Sequence, residues 1–437
     1  MSRSRILLTG IVYVALTALA KVVGLVREFL LLSEVGVGRQ LDQFLLVFGL
    51  PNMLAAFVVP IVYYAAVRRT ARLSGRLSEA RTEEERQVAQ AALSDQFRSW
   101  GRESLIVGLG LFLIAAAVNL VALYALYPPE AVDVTAILAA TFCAGTVLFS
   151  INAEYSSGVV TALGAVGSLV WCNVIINVPT VLYMMLFDVS IIDYALVLSL
   201  SFAARTIYLL VVIHRRTGAT LWPGRSARTG AAEHQYDWRV LYGSAITTAG
   251  VFIFVAMRAI TSALPENSTT YYYYSLKIFD LYNTTVWFVA GAFFLSNIQG
   301  WALERVKRTA IVHLVANFLF MLVGTGLLLL VLSVIDMLPW QDVLERYSAH
   351  ELLRLSLFAM PLVMFGPMLD LFQKVCATFS WHGRALAIAV IMTAGSFACA
   401  AVGVGLLHSV EGALIGTSCG FGLGLLAAMV VLFRARA

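Results

Sequence analysis

The chain has 437 residues, of which 60% are hydrophobic and 13% are charged, and its formal net charge is +5. Together with a mean hydropathy of +0.85, this composition excludes an ordinary soluble globular domain. The positive charge does not indicate a nucleic-acid partner, because most of the cations fall in short loops between long apolar stretches.

The apolar residues come in runs of about 20 or more, the length that crosses a hydrocarbon core about 30 Å thick. We predict an all-α polytopic membrane protein with about twelve spans, at residues 6–32, 41–67, 103–127, 132–153, 158–187, 191–214, 240–264, 270–299, 309–335, 352–380, 383–407 and 411–433. The first run is too long for a signal peptide and lacks a small-residue cleavage site, so we expect it to stay in the mature protein.

Loops on alternate sides of the membrane differ in their content of lysine and arginine. One set of loops is rich in both residues, and the opposite set offers only Arg39, Arg346 and Arg354. Because positively charged loops stay on the cytoplasmic side, this asymmetry places both termini in the cytoplasm. We expect the basic loops to contact anionic membrane lipids there.

Two polar segments interrupt the apolar pattern, at residues 68–102 and 215–239. The first is rich in Arg, Glu, Ala and Gln, and it predicts a cytoplasmic surface helix that lies along the headgroups. The second has the glycine and proline content of a cytoplasmic linker. This linker separates an N-lobe at residues 1–214 from a C-lobe at residues 240–437. Six spans on each side predict two six-helix lobes around a central cavity.

Cysteines and small residues inside the spans favour a structural explanation. The five cysteines fall in apolar spans without a CxxC motif, so we predict no disulfide, no metal site and no cofactor. In the last span Gly416, Gly420 and Gly424 recur at helical spacing, which predicts close packing against another helix.

Ionisable residues inside the predicted spans carry the functional argument, because each costs about 2.5 to 3.5 kcal/mol at the centre of a membrane helix. They must therefore face protein or water. The candidates for substrate binding are Lys21, Arg27, Glu28, Asp42, Arg258, Lys277 and Asp280. Arg205 and Asp370 are equally well explained as members of structural ion pairs, and Lys374 as a side chain that reaches the interface.

Spacing predicts which of these residues share a surface. Lys277 and Asp280 are three residues apart, and Tyr273 and Thr284 extend the same face by one turn in each direction. The tyrosines at 271–274 are typical of an interfacial aromatic belt.

The cations of the outer half of the membrane outnumber the acids, which favours an anionic ligand. A phosphate or pyrophosphate is the obvious candidate. Gly24 allows a bend in the first helix, and such a bend brings Lys21 and Arg27 to one cavity.

Two stretches of the chain resemble a known family. The first is Lys21-Val-Val-Gly-Leu-Val-Arg27-Glu28, followed by Leu41-Asp42-Gln-Phe44 and Gly49-Leu50-Pro51-Asn52. It resembles the first two helices of the MurJ/MviN lipid II flippases, which belong to the multidrug/oligosaccharidyl-lipid/polysaccharide (MOP) exporter superfamily. The second, Tyr273-Tyr-Ser-Leu-Lys277-Ile-Phe-Asp280, is similar to the eighth helix of that family.

The resemblance implies a MOP exporter-like fold and a transporter, not an enzyme. It places Lys21, Arg27, Glu28, Asp42, Lys277 and Asp280 in or near the substrate cavity, and Arg258 is added from its depth alone. The implied activity is the transfer of an undecaprenyl-pyrophosphate-linked saccharide, an envelope polysaccharide or peptidoglycan precursor, to the outer leaflet of a bacterial cytoplasmic (inner) membrane. Alternating access is the implied mechanism, and H⁺, Na⁺ and the membrane potential all stay open as its driver.

Departures from the family pattern narrow the expected substrate. Residues 53–60 replace the basic pair and the Glu-Gly-Ala-Phe-Ser-like segment that typical flippases carry after the Leu-Pro-Asn motif. The two additional helices of typical lipid II flippases are also absent from the predicted spans. Both differences favour a related lipid-linked saccharide over lipid II itself.

Two other functions stay open. A cation-coupled multidrug antiporter of the same superfamily is the nearest alternative, although the excess of cations disfavours it. A membrane glycan polymerase or ligase needs carboxylates or histidines on a sizeable outer loop. The longest outer loop, about residues 336–351, offers acids and His350 without a recognisable spacing.

Overall fold

The structure is a computed structural model that describes residues 3–79, 82–165, 167–218, 244–283, 301–335 and 349–435. Every regular element among these residues is a helix, as predicted. Eight of the described helices are long and apolar enough to cross a membrane, and a pair bent by 42° makes a ninth span if it counts as one. The chain is thus a multi-pass helical membrane protein. The total of twelve spans stays a prediction.

The described helices, in chain order, are α1 (Arg3–Val35), α2 (Arg39–Glu79), α3 (Glu83–Leu126), α4 (Val134–Ala162), α5 (Gly167–Leu186), α6 (Ile191–Thr217), α7 (Ala245–Thr261), α8 (Ser268–Ser275), α9 (Lys277–Tyr282), α10 (Leu303–Ile335), α11 (Ala349–Ala359), α12 (Pro361–Thr378), α13 (His382–Leu407) and α14 (Val410–Arg434). Three predicted features lie wholly or largely outside the described residues: the linker, the end of the eighth span after residue 283, and most of the outer loop after residue 335.

The contacts divide the chain into two compact units, and the first comprises Met1–Arg27, Leu50–Leu123 and Val132–Leu241. In its core Trp100 is 1% exposed and packs edge to face on Tyr155, with 5.4 Å between ring centroids. Helix α4 also approaches α2 closely, which buries apolar side chains of both.

Local signals in the sequence explain where the helices of this unit begin and end. Asp133 precedes α4 and accepts a hydrogen bond from the backbone nitrogen of Ala136 at 2.8 Å. Ser190 and Asp193 form a capping box at the start of α6. Gly218 ends α6 with a φ of 68°, a conformation that glycine adopts without strain.

The polar segment at residues 68–102 does not form a separate surface helix, so that prediction is wrong. Its first part continues α2 to Glu79, and its second part begins α3 at Glu83. The reason lies in Leu93, Phe97 and Trp100, which recur at helical spacing and are all buried in the core of the first unit. This face of α3 packs on the core of the first unit.

The second unit comprises Glu28–Gly49, Tyr124–Ala131 and Tyr242–Ala437. Its closest helix pair is α13 and α14, where a Cβ added at Gly416 would lie 2.5 Å from Ala400 Cα. A Cβ at Gly424 would lie 2.9 Å from Met392 Cβ. The close packing predicted from the glycines of the last span is therefore confirmed.

The eighth predicted span, 270–299, is not a single uninterrupted helix. Helix α8 ends at Ser275 and α9 begins at Lys277. Between them the backbone nitrogen of Leu276 donates to Tyr273 O at 3.3 Å, the three-residue spacing of a tighter 3₁₀ turn. Lys277 therefore stands at the start of a new helix, next to the break.

Candidate functional site

A buried tyrosine in the second unit connects two of the predicted site residues. Tyr273 on α8 donates a hydrogen bond to Glu28 Oε2 at 2.9 Å, and Lys277 Nζ donates to the Tyr273 hydroxyl at 2.7 Å. A phenol has one hydrogen to donate, an ammonium group only donates and a carboxylate only accepts, so the phenol hydrogen points to Glu28. The charge of Lys277 is thereby linked to the charge of Glu28 through one hydroxyl.

The same tyrosine ring lies beneath two cations. Lys277 Nζ is 4.0 Å and Arg258 Cζ is 4.5 Å from the ring centroid of Tyr273. A cation over an aromatic ring gains about 0.5 to 2 kcal/mol, with the larger value away from water. Helices α7 and α9 thus bring a guanidinium and an ammonium group to one side chain of α8.

Arg258 has a second anchor on the first stretch of α2. Its Nη1 donates to the backbone oxygen of Leu45 at 3.3 Å. The space for this guanidinium exists because residue 49 is glycine, where an added Cβ would lie 2.8 Å from Nη1. Arg258, which the sequence indicated by its depth alone, therefore contacts the same tyrosine ring as Lys277.

Both cations keep hydrogen-bond donors that the described residues do not use. The Nζ of Lys277 is 3.7 Å from Asp280 Oδ2, which is an ion pair but too long for a hydrogen bond. The Nε of Arg258 is buried and has no hydrogen-bond partner within the described part of the chain. Unused donors on largely buried cations suit a ligand with several oxygen acceptors, such as a phosphate group.

Asp42 lies at the start of α8, and its hydrogen bonds are taken up by that helix. The carboxylate accepts from the backbone nitrogens of Asn267 and Thr270 at 2.8 and 2.7 Å and from Thr270 Oγ1 at 2.6 Å. A carboxylate at a helix N-terminus satisfies free N–H groups and interacts favourably with the helix dipole. The geometry gives Asp42 the task of holding α8, which carries Tyr273.

Lys21 and Arg27 belong to the first unit and lie on α1. The Nη1 of Arg27 donates to Asn177 Oδ1 at 3.0 Å, and Asn177 Nδ2 donates to Ala20 O at 3.1 Å. A Cβ at Gly24 would lie 3.2 Å from the same Nδ2, so Gly24 leaves room for the asparagine. This contact gives Gly24 a packing function, and the predicted bend stays a prediction.

The remaining intramembrane charges form local pairs. Arg205 Nη2 lies 2.5 Å from Glu154 Oε1 in the first unit. Lys374 pairs with Asp370 one turn earlier on α12 in the second unit. Arg205 and Asp370 are thus members of ion pairs, and Lys374 has a carboxylate partner. Their structural explanation stays a prediction.

Sequence reasoning missed the central position of Tyr273 and the contact made by Asn177. The prediction of an interfacial belt for the tyrosines is wrong for Tyr272, Tyr273 and Tyr274, which are 0%, 5% and 4% exposed. Their hydroxyls bond inside the protein, to Thr417, Glu28 Oε2 and Glu28 O. The available signal was the four-residue spacing between Tyr273 and Lys277.

These features define a class: a multi-pass helical membrane protein with ionisable residues held among its helices. Solved structures show which fold it has. The lipid II flippase MurJ, in an inward closed conformation, matches with a TM-score of 0.67 and 13% identity over 97% of this chain and 88% of that chain.

Two solved structures of a multidrug resistance MATE family transporter of the MOP superfamily, in different conformations, are also similar. The inward-facing structure has a TM-score of 0.60 and 12% identity over 92% of this chain and 97% of that one. The outward-facing structure has a TM-score of 0.62 and 14% identity over 96% and 94%. The chain thus has the fold of these transporters, which is the fold that the resemblance implied. No family model matches the sequence, and no curated protein matches it.

Proposed function

We propose that the protein is a transporter that moves an undecaprenyl-pyrophosphate-linked saccharide from the cytoplasmic to the outer leaflet by alternating access. The observation that carries this proposal is a pair of cations, Lys277 and Arg258, that lie over the ring of Tyr273. Their unused hydrogen-bond donors suit phosphate oxygens. The fold shared with a lipid II flippase supports the same class of substrate. The prenyl chain stays in the bilayer while the charged group crosses.

Each unit contributes its own cations to this proposal. In the second unit Lys277 and Arg258 bind phosphate oxygens, and Glu28 and Asp280 balance their charge when no substrate is present. Asp42 keeps α8 in place and does not contact the substrate. In the first unit we propose Lys21 and Arg27 as further substrate-binding residues.

Flipping of a fluorescent undecaprenyl-pyrophosphate saccharide in proteoliposomes tests the proposal. Lys277→Ala and Arg27→Ala each lower the initial rate at least about tenfold, the loss expected for one charge-assisted contact. The matched control is Lys307→Ala, since Lys307 pairs with Glu304 at the start of α10 and has no part in the site. Variants that fold normally and flip at the wild-type rate overturn the proposal.

A cation-coupled antiporter is the second candidate, and one observation favours it. A continuous hydrogen-bonded path leads from Lys277 through Tyr273 to Glu28. It connects a base to an acid, an arrangement that can take up and release a proton. The same proteoliposomes, loaded with a cationic dye and given a proton or sodium gradient, discriminate the two. Dye export without lipid flipping establishes the antiporter and ends the flippase proposal.

We also propose a bacterial cytoplasmic membrane location with both termini inside, supported by the basic loops. A C-terminal green fluorescent protein fusion is then fluorescent, and a C-terminal alkaline phosphatase fusion is inactive. An active phosphatase fusion contradicts this orientation.

A further inference from the structure

Tyr273 contacts both cations of the proposed site in the second unit and one of its acids. Its ring lies beneath Lys277 and Arg258, and its hydroxyl connects Lys277 to Glu28. We infer that Tyr273 is the positioning residue of this site, which fixes the direction in which the two cations present their donors to a phosphate group. The inference rests on the proposed function and names the residue that prepares the site.

The need for such a residue follows from the chemistry of lysine. The ammonium group of Lys277 sits on a flexible four-carbon stem with many rotamers, and fixing it on binding costs entropy. In the structure the ring and the hydroxyl of Tyr273 hold that group, with its nitrogen 4.0 Å from the ring centroid and 2.7 Å from the hydroxyl oxygen. The entropy cost of fixing the Lys277 side chain is then met during folding, so less of it opposes binding and the affinity for the ligand is higher.

Tyr273 can do this because it is itself firmly held. It is 5% exposed, and its hydroxyl bonds to Glu28, which is also 5% exposed. The neighbouring Tyr274 packs edge to face on its ring at 5.2 Å and donates to the backbone oxygen of Glu28 at 2.8 Å. Asp42 fixes the beginning of the same helix. The phenol is thus fixed between Glu28 of helix α1 and the cationic side chains of Lys277 and Arg258.

The two functional parts of the side chain can be separated by substitution. Tyr273→Phe keeps the ring beneath both cations and removes the hydroxyl that bonds Lys277. Tyr273→Leu removes both. Tyr272→Phe is the matched control, because Tyr272 is a fully buried neighbour on α8 whose hydroxyl bonds to Thr417 and does not contact Lys277.

The test measures the half-saturating concentration and the maximal rate of flipping for the fluorescent undecaprenyl-pyrophosphate saccharide. Tyr273→Phe raises the half-saturating concentration about tenfold, the value of one hydrogen bond to a charged group, with the maximal rate per folded protein within about twofold. Tyr273→Leu raises it further, and Tyr272→Phe leaves it unchanged. If Tyr273 had a structural role alone, Tyr273→Phe would lower the folded fraction and the maximal rate without changing the half-saturating concentration. That result overturns the inference.

A second readout separates this inference from the proposed function. In protein labelled with ¹⁵N-lysine, the ammonium resonance of Lys277 is assigned from its loss in Lys277→Arg. Titration with inorganic pyrophosphate shifts this resonance in wild type and in Tyr272→Phe, and the response is weakened in Tyr273→Phe. This outcome supports the positioning role even if wild type flips no lipid, whereas an equal response in Tyr273→Phe and wild type overturns it.

Discussion

At the scale of single residues, the candidate site of the second unit depends on the small space available to its charged side chains. The guanidinium of Arg258 fits beside α2 only because Gly49 has no side chain. Its Nη1 then reaches Leu45 O, and its Cζ stays over the ring of Tyr273. A small residue on one helix thus fixes a charged residue on another.

Gly49→Ala tests this arrangement. The new methyl group would lie 2.8 Å from Arg258 Nη1, so the guanidinium must shift, and we expect its contact with Tyr273 to be lost. The half-saturating concentration for lipid flipping then rises about fivefold, the value of a lost cation–π contact. Gly75→Ala is the control on the same helix, where an added Cβ meets no atom of the described residues within 4 Å. Equal behaviour of the two variants contradicts the role assigned to Gly49.

The charged residues of the candidate site could be selected from the sequence because an ionisable residue inside a predicted span needs an explanation. Lys277, Glu28 and Asp280 were selected in this way. The four-residue spacing placed Tyr273 on the face of Lys277 but gave it no central role, because tyrosine is common both at membrane interfaces and in protein interiors. Its burial and its three simultaneous contacts show that role in the structure.

At the scale of elements, α8 is a helix of eight residues whose start is held by a side chain from α2. A short helix has little stability of its own, so its geometry depends on such contacts. Asp42 accepts from two backbone nitrogens of the first turn and its flank, Asn267 and Thr270. The cations above Tyr273 therefore depend indirectly on Asp42.

Amide hydrogen exchange tests the role of Asp42. In Asp42→Ala we expect exchange at Asn267 and Thr270 to become at least about fivefold faster, since a lost helix cap costs about 1 kcal/mol. Asp133→Ala is the control, because Asp133 caps α4 in a similar manner and leaves α8 unaffected. Unchanged exchange in α8 of the Asp42 variant would show that the helix does not need this carboxylate.

A glycine-to-alanine substitution tests the packing of α13 on α14. Gly416→Ala places a methyl group 2.5 Å from Ala400 Cα, and we expect a loss of about 1 to 3 kcal/mol in unfolding free energy from overpacking. Gly405→Ala, on α13, meets no atom within 4 Å in the part of the chain that the structure describes, and it serves as the control, with unchanged or slightly higher stability. Denaturation of the purified protein in detergent measures both. A Gly416 variant as stable as the control contradicts the close packing.

The positions of the helices could be predicted where the length of an apolar run determines them. Long apolar runs gave the positions of α6, α13 and α14 within a few residues, whereas α4 ends at Ala162, nine residues beyond its predicted end at residue 153. The break at Leu276 was not predictable, because the apolar pattern continues across it. The extension of α3 back to Glu83 was also missed, because its buried face is a narrow stripe of Leu93, Phe97 and Trp100 in a polar segment.

At the scale of the whole molecule, the cations inside the predicted spans suggest how the proposed transport cycle is driven. In that cycle, once an anionic substrate has left on the outside, a site with exposed cations is drawn inward by the membrane potential. This effect is worth about 2.3 kcal/mol per charge for 100 mV. The return step is then the step that depends on the potential.

Collapsing the potential should therefore slow repeated turnover. In proteoliposomes with an inside-negative potassium diffusion potential, we expect steady-state flipping to fall severalfold after the potential is removed, since each charge moved is worth about 2.3 kcal/mol per 100 mV. Protein-free vesicles with the same ionophore control for leakage. A steady-state rate that does not change with the potential rules out this return mechanism.

The central claim is that the protein recognises an anionic lipid headgroup and carries it across the membrane. The most direct measurement compares flipping by the wild-type protein of two fluorescent undecaprenyl lipids that carry the same sugar, one linked through pyrophosphate and one through a neutral linkage. We predict that the pyrophosphate lipid crosses faster than in protein-free vesicles, while the neutral lipid crosses at the protein-free rate. Equal acceleration of both lipids, or of neither, contradicts the claim.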